Sequence, residues 1–140
     1  MQENSDFILV RKVDVNEGFS TGTITKAALF FTASYMFVVP FESIAVLGYK
    51  TEKSFGDVAD LILTLIPQLK DQSVEDFELQ MIGKLPPERV YEIADLETFS
   101  VNVGWWIFGG MTIQKKGGSR QTINVQPTAM RTQISQFYTT

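Results

Sequence analysis

The feature that most constrains this chain is a change of period. Apolar residues follow a period of two within separate runs between Phe7 and Thr32, and a period of three or four after Ser54. Period two marks a strand with one buried side, and period 3.6 marks an amphipathic helix. Phe7, Leu9, Val13 and Val15 lie on one side of the first run, which Arg11 interrupts. Asn16-Glu17-Gly18 is turn chemistry. Thr23 to Thr32 reads as a second strand, with Thr25, Ala27, Leu29 and Phe31 on one face. Thr32-Ala33-Ser34 turns the chain, and Tyr35 to Val39 returns it as a third strand. Pro40 cannot donate to a ladder, so it ends or edges that strand. Phe41 to Leu47 is compatible with one more short strand before Gly48.

The helical period begins with Ser54 and Asp57, spaced as a weak capping box. Phe55, Val58, Leu61, Ile62, Leu65, Ile66 and Leu69 follow, and Pro67 stops or kinks the last turn. Ser73 with Asp76 starts a second, shorter helix carrying Val74, Phe77, Met81 and Ile82. Gly83 and Pro86-Pro87 close it. Glu75 and Asp76 fall where the helix dipole favours negative charge.

Arg89 to Ala94 suits a helix through Val90, Ile93 and Ala94, and a strand through Val-Tyr-x-Ile; the strand reading leads. Thr98 to Val103 alternates Phe99, Val101 and Val103 with polar residues. Gly109-Gly110 implies a bend or bulge after Trp105-Trp106-Ile107-Phe108. Met111 to Lys115 and Arg120 to Val125 read as a hairpin around Lys116-Gly117-Gly118-Ser119. Pro127 opens a final helix lined by Met130, Ile134, Phe137 and Tyr138. Strands, two mid-chain helices, strands and a C-terminal helix predict an α+β fold built on an antiparallel sheet, over one domain spanning 1–140.

The same residues bound the chemistry. The chain has neither histidine nor cysteine. It cannot build a serine–histidine triad, a thiolate site or, by itself, nearly any zinc, copper or non-haem iron site. Net charge is −4, from 12 basic and 16 acidic residues, which argues against a duplex nucleic acid partner. The longest apolar region, Ala27 to Phe41, is interrupted by Thr32, Ser34 and Pro40 and is too short for a membrane span. A polar, acidic N-terminus is unlike a secretory signal. The expectation is a cytoplasmic domain.

Gly22-Thr23-Ile24-Thr25, Ala28-Leu29-Phe30-Phe31-Thr32 and Phe37-Val38-Val39-Pro40-Phe41-x-x-Ile44 together resemble bacterial pleckstrin-homology-like and GRAM-like domains. The hairpin from Met111 to Val125, followed by the helix from Pro127 to Tyr138, resembles the end of the same fold. These stretches cover about half the chain, and their motifs are not specific. Residues 54–87 depart from the pattern, because two helices stand where such a domain continues its strands. The resemblance implies a bent antiparallel barrel plugged by its C-terminal helix. It also implies a binding scaffold for proteins or lipid headgroups, without intrinsic catalysis.

Two surfaces emerge as candidates. Trp105, Trp106 and Phe108 form an aromatic edge that either anchors a partner or divides between core and strand end. Lys115, Lys116 and Arg120 flank the hairpin turn and either meet phosphates or form a solvated turn that guards an edge. Glu88, Glu92, Asp95 and Glu97 lack calcium-loop spacing and read as a solvated face. The chain presents no phosphate-cradling glycine motif. No catalytic residue, metal or cofactor is expected. The function expected is a non-enzymatic interaction domain with a protein partner, a homo-oligomer or, less favoured, anionic lipid. The alternative is a small-molecule-binding or enzyme domain using carboxylates or lysine.

Overall fold

The computed structural model describes residues 1–16, 23–45, 50–52, 71–103 and 110–139. Eight strands are described: β1 Ile8–Asn16, β2 Thr23–Phe31, β3 Tyr35–Ala45, β4 Lys50–Glu52, β5 Val90–Glu92, β6 Leu96–Val101, β7 Gly110–Lys115 and β8 Arg120–Val125. Two α-helices accompany them, α1 Val74–Lys84 and α2 Thr128–Thr139. The strands form one antiparallel, nearly closed sheet in the order β4-β3-β2-β1-β8-β7-β6, with β5 pairing β3. The expected α+β, barrel-like architecture is therefore present. The expected helix over residues 54–69 lies outside the described residues. No described helix is long and apolar enough to cross a membrane.

Apolar alternation explains the interior. Ala27, Leu29 and Phe31 of β2 and Met36 and Val38 of β3 face the barrel core with Met111, Ile113, Ile123 and Val125. The intervening residues are buried too. Phe7, Leu9, Ala28, Phe30, Phe37 and Val39 form a second cluster on the opposite face, covered by Phe77, Met81 and Leu85. Strands covered on both faces become continuously apolar, which is why Ala27–Phe41 resembles a short membrane segment in sequence.

The break at Arg11 has a structural cause. Val10 opposes Leu29 and Val13 opposes Ala27, so β1 gains one residue across Arg11-Lys12. This bulge reverses the side-chain parity. Before it, Ile8 and Val10 face the core while Phe7 and Leu9 face α1; after it, Val13 and Val15 face the core. The single face expected for Phe7, Leu9, Val13 and Val15 is thus divided between two.

Pro40 does not end its strand. Ala27 pairs Pro40 and Lys26 pairs Glu42, so a bulge at Phe41 follows the proline and β3 continues to Ala45. The ladder irregularity falls beside the residue that lacks an N–H.

Helix α1 begins at the expected cap: the Asp76 amide donates to Ser73 Oγ at 3.1 Å. Phe77 anchors the helix, its ring centroid lying 5.4 Å from Phe30, 6.0 Å from Phe37 and 6.5 Å from Phe7. Ile82, expected in the apolar stripe, is instead exposed, as is Leu79.

Helix α2 lies against the barrel core through Ile134, with Met130, Phe137 and Tyr138 packed around it. It also buries a cation. Arg131 is fully buried, and its Nε donates to the Val125 carbonyl at 2.8 Å. Gly110 makes the room: a Cβ there would stand 2.5 Å from Arg131 Nε, and its φ of 114° is left-handed. Strand β6 starts and ends two residues before the segment expected, leaving Val103 beyond it and exposed.

Candidate functional site

The site follows from how the sheet nearly closes. β5 pairs the N-terminal part of β3, matching Tyr35 with Glu92 and Phe37 with Val90. A single 3₁₀ turn, Ile93–Asp95, then carries the chain into β6, which pairs β7 with Leu96 opposite Lys115. The ambiguous segment 89–94 is therefore a three-residue strand set between 3₁₀ turns at Pro87–Arg89 and Ile93–Asp95. Three residues join the β3 edge of the sheet to the β7 edge. The Ile93 amide fixes this crossing by donating to the Ser34 carbonyl at 2.8 Å.

A groove of about 580 Å³ opens along this seam. Ile82 and Leu85 from the end of α1, with Val90 and Leu96, give it apolar walls. Tyr35 stands on the β2–β3 turn, its ring stacked on Phe37 at 5.5 Å and 12°. Glu92 and Asp95 supply negative charge, and Lys115 and Lys116 supply positive charge.

The two lysines differ. Lys115 is half-buried; its Nζ donates to the Pro87 carbonyl at 2.9 Å and lies 4.6 Å from the Tyr91 ring centroid. Burial lowers its pKa, and the nearby Glu88 carboxylate partly opposes that shift. Its amine is tethered by a carbonyl and an aromatic face. Lys116, Glu92 and Asp95 are exposed. Burial raises the Tyr35 phenol above its ordinary value, and the carboxylates of Glu92, Glu78 and Asp95 raise it further.

Behind Tyr35 the turn is braced by Thr32. The Thr32 amide donates to the Tyr35 carbonyl at 2.9 Å, and the Tyr35 amide donates to Thr32 Oγ1 at 3.0 Å. The buried Thr32 hydroxyl donates in turn to Glu78 Oε2 of α1 at 2.6 Å. Tyr138 of α2 donates to the Thr32 carbonyl at 2.7 Å. One threonine thus joins both helices to the turn that presents Tyr35. Burial, and secondarily Glu78, pushes the Tyr138 phenol well above its ordinary value.

Of the residues the sequence singled out, Lys115 and Lys116 line the groove, whereas Arg120 lies exposed at the start of β8, opposite Gln114. Trp105, Trp106 and Phe108 lie outside the described residues. The acidic group divides: Glu92 and Asp95 reach the groove, while Glu88 and Glu97 are exposed elsewhere. Tyr35, Ile82 and Leu85 carry no local sign of a site, because non-local pairing alone brings them together. Among the described residues no cluster of carboxylates is arranged to hold a metal ion. Comparison with protein-family models, with curated proteins and with solved structures finds no match for this chain.

Proposed function

We propose that this chain is a protein-interaction module of pleckstrin-homology-like architecture, and that the seam groove is its docking surface. The observation that carries the reading is the groove itself, with apolar walls, one aromatic ring and a rim of mixed charge. Protein interfaces combine an apolar centre with a polar rim in this way. The architectural part rests on strand order: two antiparallel runs are joined through β1 and β8, and a C-terminal helix packs on the core.

Charge favours a protein over a lipid headgroup. Of the three hairpin cations, Lys115 is tethered to Pro87 and Tyr91, and Glu92 and Asp95 share the groove with Lys116. An anionic membrane would meet carboxylates as well as lysines at this face.

A random displayed-peptide library selected on the wild-type chain tests the proposal. Selected peptides should bind about tenfold or more weakly to Ile82→Asp, since a charge replaces an apolar anchor in the groove. Binding to Arg120→Glu should be unchanged. Peptide binding indifferent to Ile82→Asp, or salt-sensitive binding to phosphatidylserine vesicles that Lys116→Glu removes, would overturn it.

A further inference from the structure

We propose that the protein segment docking in the seam groove carries an arginine, whose guanidinium lies between the Tyr35 ring and the Glu92 carboxylate; this rests on reading the groove as a docking surface. Tyr35 and Glu92 are direct cross-strand partners in the β3–β5 ladder, so their side chains leave the same face of the sheet. Both line the groove. One face of the Tyr35 ring is taken by Phe37, which is fully buried; the rest of the half-buried ring borders the groove.

Charge decides what this corner accepts. The β6–β7 register sets Leu96 opposite Lys115 and so carries Asp95 alongside Lys116. Lys115 is tethered to the Pro87 carbonyl and the Tyr91 ring. Both groove lysines thus have neighbours of their own, whereas Glu92 has a neutral phenol opposite it. The carboxylates of Glu92, Glu78 and Asp95 all act on that phenol, and no cation among the described residues opposes them. In a chain of net charge −4, this corner attracts a cation and repels an acid.

A flat guanidinium suits such a corner better than an ammonium. It stacks on an aromatic face and pairs a carboxylate through two parallel N–H groups. Beside it, Ile82, Leu85, Val90 and Leu96 take apolar side chains of the same segment. An acidic residue at this place would face Glu92 and gain only Lys116, which already lies alongside Asp95.

Isothermal titration of the full chain with peptides selected on it tests the inference. An arginine should recur in those peptides that Ile82→Asp releases. Replacing that arginine by glutamine should weaken binding about tenfold, and Glu92→Gln and Tyr35→Leu should each do the same to the parent peptide. On either variant the arginine-free peptide should bind within about twofold of its parent, because the two changes remove one contact. Tyr35→Phe should bind within about twofold of wild type, since the ring and not the hydroxyl holds the cation. Circular dichroism verifies that each variant folds. Groove peptides without a recurring arginine, or an arginine whose loss costs as much on Glu92→Gln as on wild type, would overturn the inference and leave the groove reading in place. Peptides indifferent to Ile82→Asp would remove the groove reading as well.

Discussion

Gly110 and Arg131 show how one residue's identity is dictated by another far along the chain. The buried guanidinium crosses β7 where any Cβ would collide with it. Gly110→Ala combines left-handed backbone strain with overpacking, and should cost about 3 kcal/mol. Urea denaturation followed by circular dichroism reads that cost as a lower midpoint. Thr32→Val keeps the shape but removes the hydroxyl between Glu78 and the Tyr35 amide. Leaving those groups unmatched should cost about 2 kcal/mol in the same assay. Neither role was legible in the sequence. Gly110 read as a bend and Thr32 as a turn former, and nothing local set Arg131 apart. By contrast, Ser73 with Asp76 and the Gly117 turn were legible, because caps and hairpin turns are fixed by neighbours a few residues away. Gly117 adopts a φ of 75°, and the Gly118 amide donates to the Lys115 carbonyl at 2.9 Å.

At the scale of elements, helix α1 both covers a face of the sheet and forms one wall of the groove. Phe77→Ala should cost about 3–5 kcal/mol. It should also speed hydrogen exchange in residues 74–84 more than in β7 and β8, since the three rings that seat the helix lose their partner. Helix α2 carries a pH signature through Tyr138. Its phenol is raised in the folded state by burial, so the unfolded chain loses that proton first as pH rises. Stability owed to the neutral phenol is complete below about pH 10 and declines above it. Unfolding free energies measured across that range should fall more steeply for wild type than for Tyr138→Phe. A common slope would contradict the assignment. Most strands and both described helices were legible as elements because their periods are local; the three-residue strand β4, Lys50–Glu52, was not, and β5 was ambiguous. The parity switch in β1 was not: Arg11 revealed that the pattern broke, but only pairing with β2 shows that a bulge turns the strand over.

At the scale of the molecule, the sheet nearly closes because one 3₁₀ turn carries the chain from the β3 edge to the β7 edge, and the groove is a product of that closure. This explains which parts of the site could be anticipated. Lys115 and Lys116 flank a recognisable hairpin. Glu92 and Asp95 read as a solvated face, and Tyr35 and Ile82 drew no notice as site residues. These residues span Tyr35 to Lys116 in sequence and meet only when the barrel forms. Lys115 also bears on the proposed use of the groove. A lysine with a lowered pKa suits catalysis in principle; the contacts of this amine with Pro87 and Tyr91 support the proposed reading of the groove as a recognition surface. The most direct measurement of that claim is a series of ¹H–¹⁵N correlation spectra recorded while a peptide selected on the wild-type chain is added. Binding at the groove is expected to shift the amides of Tyr35, Ile82, Glu92 and Lys116, with Gln133 and Gln136 on α2 unmoved. Groove resonances that stay fixed while Gln133 and Gln136 shift would contradict it.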